Sequence, residues 1–262
     1  MGGTGRYLLG MDQSDAMIIS EARYEIASLA ARYSRAHGPF IALMNRLGGG
    51  VEAQMKALPA PLRDQIARVT EAALHTAFGL AAQGARAPDI GPQGPMLAVI
   101  ATGAAGGLGG LPTAIAELPV TVTVILHAIR EAAREAGFDP NDPAIRAECI
   151  EIFGAGSPLE GDDGVNSGLV SARLAISGST VAQIVATVAP RLATALGQKV
   201  IAQAVPVIGA ITGATLNATY MRYYREVARI RFALLRLGEA HGADAVLAEF
   251  KALSALKVTK GG

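Results

Sequence analysis

Tryptophan is absent from this 262-residue chain, cysteine occurs once, and aromatic residues make up only 5% of it. A lone thiol, Cys149, excludes an intrachain disulfide and fits a reducing cytosol. Charge is scarce too: 17% of the residues are formally charged and the net charge is +1. Binding a polyanion through bulk charge needs a clustered surplus of Lys and Arg, so no nucleic-acid partner is expected. Catalytic and metal signatures are missing as well. HExxH, CxxC and GxSxG do not occur, and His37, His75, His127 and His241 have no ligand spacing, so neither a metal nor another cofactor is expected. No charged region followed by a long apolar run opens the chain. Arg6 stands where N-myristoylation requires Ser or Thr, so residues 1–13 read as a flexible leader.

Small residues are what the chain has in excess. Alanine and glycine together supply close to a third of it, while 51% is hydrophobic and the mean hydropathy is +0.34. Apolar residues recur at three-four spacing and strand-like alternation is nearly absent. The expected fold is therefore all-α: a single compact multi-helix domain whose Ala/Gly-rich helices pack closely. Helices are expected over 14–36, 51–57, 61–86, 143–153, 165–189, 207–237 and 243–256. The stretch APDIGPQGP at 87–95 reads as a linker between an N-terminal helical layer, 14–86, and a more apolar core, 96–256, followed by a tail, 257–262. Two stretches approach the roughly 20 apolar residues that a membrane span needs. Residues 96–116 hold five glycines and Pro112, and residues 200–221 hold Gln203, Pro206 and Asn217 with positive residues on both flanks. A soluble or peripheral protein is expected in preference to an integral one.

Between residues 90 and 129 the only formally charged side chain is Glu117. The glycines nearby, Gly103, Gly106, Gly107, Gly109 and Gly110, are followed by no Lys-Ser/Thr and preceded by no strand, so they do not form a phosphate loop. Instead 103/107, 106/110 and 209/213 are each four residues apart, the spacing that lets helix backbones touch. Gly103, Gly106, Gly107, Gly110, Gly209 and Gly213 are accordingly the expected helix-packing positions. At 100° per residue, Gly209, Gly213, Asn217, Tyr220, Tyr224, Val227, Arg231 and Leu235 fall on one stripe of the last long helix. Arg222, Arg225, Arg229 and Arg236 fall on the opposite stripe. That face is either solvated or a contact for anionic lipid headgroups, each cation near such a surface contributing about 1 kcal/mol. Arg231 points with the apolar stripe, where a guanidinium requires a partner. Glu117, by its isolation, is the first expected partner and Glu148 the second. Were the region buried, Glu117, Asn217, Tyr220, Tyr224 and Arg231 would converge on a polar pocket for a ligand. Asp142 before Pro143 reads as a helix cap and not as a calcium ligand.

From Gly103 the text runs GAAGGLGGLPTAIAELPVTVTVILHAIREAAREAGFDPNDPAIRAECIEIFGAG, later LGQKVIAQAVPVIGAITGATLN and YYREVARIRFALLRL. In order and spacing these blocks, over roughly residues 95–250, resemble the EcsC family of bacterial proteins. The family takes its name from a component encoded beside an ABC-type exporter. The resemblance implies a bacterial, mostly helical protein that is cytoplasmic or peripheral at the inner face of the cell membrane. Its implied partner is membrane lipid or a membrane protein such as an ABC-type transporter, and it carries over no catalytic residue. The expected function is thus a non-enzymatic, membrane-proximal protein that uses its apolar helices and basic face. The alternative is a hydrolase or binding protein for an amphiphilic small molecule, with its pocket around Glu117 and Arg231.

Overall fold

A computed structural model describes residues 22–36, 59–82, 94–108, 110–155 and 208–258, with scattered positions between 185 and 200. The leader 1–13, the helix expected over 51–57, most of the linker 87–95 and most of the helix expected over 165–189 lie outside the described residues. Among the described residues there is no strand. The helices are α1 (22–36), α2 (Ala60–Ala82), α3 (Gly94–Leu108), α4 (Leu111–Glu135), α5 (Pro143–Ala155), α6 (Ile208–His241) and α7 (Ala243–Val258). α7 thus runs two residues into the stretch expected as a tail.

The 34-residue α6 is the axis of the bundle. Its inward stripe is buried as the 100° projection requires: Asn217, Tyr220, Tyr224, Val227 and Arg231 are each at most 4% exposed. α3, α4, α5 and α7 pack on α6, and α2 packs on α4, with its Ile66 and Leu74 buried in the core. α4 and α6 run parallel, because Glu117, Glu135 and Ala136 meet Asn217, Arg229 and Arg236 in the same order. α5 runs antiparallel to α6, with Glu148 beside Arg231 and Phe153 beside Tyr224. α1 lies across α6 and α7, held by Arg32 to Glu226 at 2.7 Å and by the Tyr33 ring, whose centroid is 5.9 Å from that of Phe250.

Local chemistry explains the breaks. Gly110 has φ 70°, a left-handed conformation that costs an L side chain but not glycine. It interrupts the apolar run 96–116, which is divided between α3 and α4 and forms no single span. Pro112 then sits in the first turn of α4, where its missing N–H is no loss. Asp142 caps α5, its Oδ1 accepting from the amides of Ala144 at 2.8 Å and Ile145 at 3.3 Å. Asp139 Oδ1 accepts from the Asn141 amide at 2.9 Å, so the acidic loop is a turn with a cap. Among the described residues one helix, α4 from Pro112 to Glu135, is long and apolar enough to cross a membrane, and just over half of its most apolar window is buried in the bundle.

α3 and α6 approach closely at Gly103. A Cβ on Gly103 would fall on the carbonyl of Gly213 and 2.6 Å from Asn217 Nδ2. The packing expected of Gly107 and Gly209 lies outside the described residues. Since the obstacle at Gly103 is backbone and cannot rotate away, Gly103→Val forces the two helices apart. The variant is expected to lose about 1–3 kcal/mol or more of stability, seen as a lowered midpoint in thermal unfolding followed by circular dichroism.

Candidate functional site

The polar residues singled out from the sequence form two centres, not one. The first lies at the α3–α4–α6 crossing. Glu117, 7% exposed, turns inward; its Oε1 accepts from Thr121 Oγ1 at 2.7 Å and from Asn217 Nδ2 at 2.5 Å. Gly106 makes the room, since a Cβ there would overlap the Glu117 carboxylate. Thr113 Oγ1 closes the hairpin by donating to the carbonyls of Gly106 at 2.5 Å and Gly110 at 3.0 Å. The glycines of α3 thus do two things: they admit a neighbouring backbone and they seat a carboxylate. Gly103 and Gly213 lie against each other at that crossing, Gly106 lies against the Glu117 side chain, and Gly110 stands at the break between α3 and α4.

The second centre is Arg231. Its Nε donates to Glu148 Oε1 at 2.5 Å, and the two side chains are 1% and 2% exposed. The buried guanidinium therefore has an acidic partner inside the protein, as its position on the apolar stripe demands, but the partner is Glu148 and not Glu117. Asn217 and Arg231 are separated by 14 residues of one helix, about 21 Å along its axis, so Glu117 and Arg231 do not share a pocket. Tyr220 and Tyr224 lie between the centres in an aromatic cluster. The Tyr224 ring stands edge-on to Phe153 at 5.0 Å and to Tyr223 at 5.4 Å, with Tyr220 at 6.2 Å. Burial raises all three tyrosine hydroxyls above their ordinary range and keeps them neutral. Burial also pushes the Cys149 thiol up to about 12, which suits a packing residue and not a nucleophile.

The outer arginines are less free than their helical projection suggests. Arg229 grips Glu135 at the end of α4 with two bonds, Nε to Oε2 at 2.7 Å and Nη2 to Oε1 at 2.9 Å. These bonds hold the Glu135 carboxyl below its usual range. Arg225 lies 3.9 Å from the same carboxylate, and Arg236 Nη1 reaches the Ala136 carbonyl at 3.4 Å, where positive charge suits the end of a helix. Arg222 is exposed. Reasoning from sequence missed Glu135 as the partner of the basic face, and it missed Glu151, whose carboxyl is pushed up to about 7 by burial and by the charge of Glu148, with Arg231 opposing. A signal for Glu151 existed: Glu148 and Glu151 are one turn apart in the otherwise apolar ECIEIF.

A glycine-seated hairpin crossing a long amphipathic helix, with Glu117 turned inward, defines a helical bundle whose recognisable motifs are structural. The chain belongs to the EcsC protein family, whose family model matches residues 93–237 and so takes in α3 to α5 and most of α6. No curated protein and no solved structure matches it.

Truncating one member of a buried ion pair strands the other, at a typical cost of about 3–5 kcal/mol. Arg231→Met is expected to lower stability by that order in urea unfolding, and adding Glu148→Leu is expected to restore much of it. Equal losses in the single and double variants would contradict this pairing.

Proposed function

We propose that the protein is a non-enzymatic, membrane-proximal component that rests on a lipid bilayer through the outer face of the α3–α4 hairpin. The observation that carries this reading is an exposed surface without charge. Leu97, Ala101, Ala105 and Leu108 recur along the outside of α3, and Pro112, Ala116, Pro119 and Val120 along the outside of α4. Leu97 and Leu108 are 62% and 60% exposed and Val120 is 43% exposed; among the described residues the other exposed large apolar side chain is Tyr24 of α1. The one carboxylate of this stretch, Glu117, is held inside. Scattered exposed leucines need no explanation, but an uncharged face running along two consecutive helices marks an interaction surface.

Length and burial together favour lying on the membrane over crossing it: α4 is long enough to cross, but just over half of its most apolar window is buried in the bundle. The 15 residues of α3 reach about 22 Å, short of the roughly 30 Å hydrocarbon core. Arg222 is the first charged residue of α6, following the uncharged run 208–221, and is exposed at that boundary. It is the member of the basic face best disposed to meet an anionic headgroup, with Arg225, Arg229 and Arg236 also engaged within the bundle. The cytoplasmic leaflet is the surface this arrangement suits, and a membrane protein seated in it is the other occupant of the same face. The pocket for an amphiphile around Glu117 and Arg231 has no support, since those residues sit in separate centres.

Flotation with vesicles of anionic phospholipid tests the reading. Wild type is expected to float, less so at high salt. The triple variant Leu97→Glu/Leu108→Glu/Val120→Glu is expected to stay in the soluble fraction with an unchanged circular dichroism spectrum, because each carboxylate at membrane depth costs up to about 2.5–3.5 kcal/mol. Equal flotation of the two proteins, or none by wild type, would refute it.

A further inference from the structure

α5 carries two carboxylates, Glu148 and Glu151, and the first is bonded to a guanidinium of α6. Glu148 and Glu151 are a turn apart on this helix, and the charges felt at Glu151 are those of Glu148 and of Arg231 on α6. Of the other charged groups nearby, Arg130 and Arg134 of α4 act with Glu148 on the adjacent Cys149, and Arg146 of α5 acts on Arg130. Arg231 Nε is committed to Glu148 Oε1, which leaves Glu148 Oε2 and Glu151 Oε2 buried with no hydrogen-bond partner. Among the described residues, two ionised carboxylates beside one guanidinium would leave a negative charge uncompensated in a poorly solvated junction, and carboxylates so close do not both ionise readily. A proton is the smallest ligand that balances the charge, and it turns one of the orphaned acceptors into a donor.

We propose that Glu151 carries a proton beside the buried Glu148–Arg231 pair, and that this proton fastens α5 to α6. Glu151 is the port of entry, because it is only half-buried while Glu148 and Arg231 are sealed. Its carboxyl, pushed up to about 7 in the closed junction, returns to an ordinary 4.5 when the junction opens. The closed state therefore binds the proton more tightly than the open one. Opening becomes easier as pH rises from ~4.5 to ~7, by up to tenfold per unit, and levels off above that. This clasp lies in the charged part of the bundle and is independent of bilayer contact at the hairpin.

Amide hydrogen exchange of residues 143–155 in the full chain, corrected for the intrinsic pH dependence of exchange, tests the clasp. In wild type, the opening equilibrium of this helix is expected to climb from pH ~5 to pH ~7 and then to flatten, with no such trend in α2. In Glu151→Gln, which is neutral at every pH, the dependence is expected to vanish. Infrared spectra of wild type give a second readout that needs no variant: a protonated-carboxyl band that titrates near neutral pH. Exchange with the same pH dependence in wild type and Glu151→Gln, or a carboxyl band lost entirely below pH ~5, would overturn the proposal and leave Glu151 an ordinary surface acid.

Discussion

The backbone of Gly103 rests on that of Gly213, and much else in the bundle follows from that contact. Helices this close have no room for side chains between them, so α3 carries glycine there and apolarity has to come from residues without bulk. The same approach brings Asn217 to the α3–α4 hairpin and makes it a donor to Glu117 Oε1 at 2.5 Å. Gly106 completes the niche by leaving the volume that the carboxylate fills. With Glu117 drawn inward, the outside of the hairpin is left with alanine, leucine, proline and valine. A packing constraint in the core thereby decides the chemistry of a surface.

Charge is distributed along the bundle in consequence. The first part of α4 and the described start of α6 carry no exposed formal charge, whereas beyond Arg130 on α4 and Arg222 on α6 the chain is dense in ion pairs. Arg229 and Arg225 meet Glu135, Arg32 meets Glu226, and Arg23 meets Glu249. Most of these pairs are partly exposed and contribute little each to stability. Their weight is in orientation: they fix α1 and the end of α4 against α6 and give the molecule a polar end distinct from its apolar hairpin. The buried Arg231–Glu148 pair belongs to the polar end and joins α5 to the same axis.

Sequence made part of this legible and concealed the rest for specific reasons. The inward stripe of α6 followed from helical geometry alone, because a 100° projection depends on one helix and nothing else. Glycine spacing pointed to close packing at Gly103, Gly106 and Gly213 for the same reason. What a single helix cannot reveal is its register against a neighbour. Glu117 was the natural partner for Arg231 because it stands alone in the text, yet α4 runs parallel to α6 and delivers Glu117 level with Asn217, 14 residues too early. The basic stripe was visible, but its engagement by Glu135 depends on where α4 ends beside it. The break at Gly110, too, was hidden within a run that read as one long apolar stretch.

Contact of the uncharged hairpin face with the bilayer, with the ion-paired end held away from it, would distinguish the two ends of the bundle residue by residue. Spin labels placed singly at the exposed positions Ala101, Ala116 and Ala240 measure this directly through collision with oxygen, which concentrates in hydrocarbon, and with a polar nickel chelate, which is excluded from it. On adding anionic vesicles, the labels at 101 and 116 are expected to gain oxygen collisions and lose nickel collisions, and the label at 240 to change in neither. Labels at 101 and 116 that stay as open to the nickel chelate as the label at 240 would contradict the account.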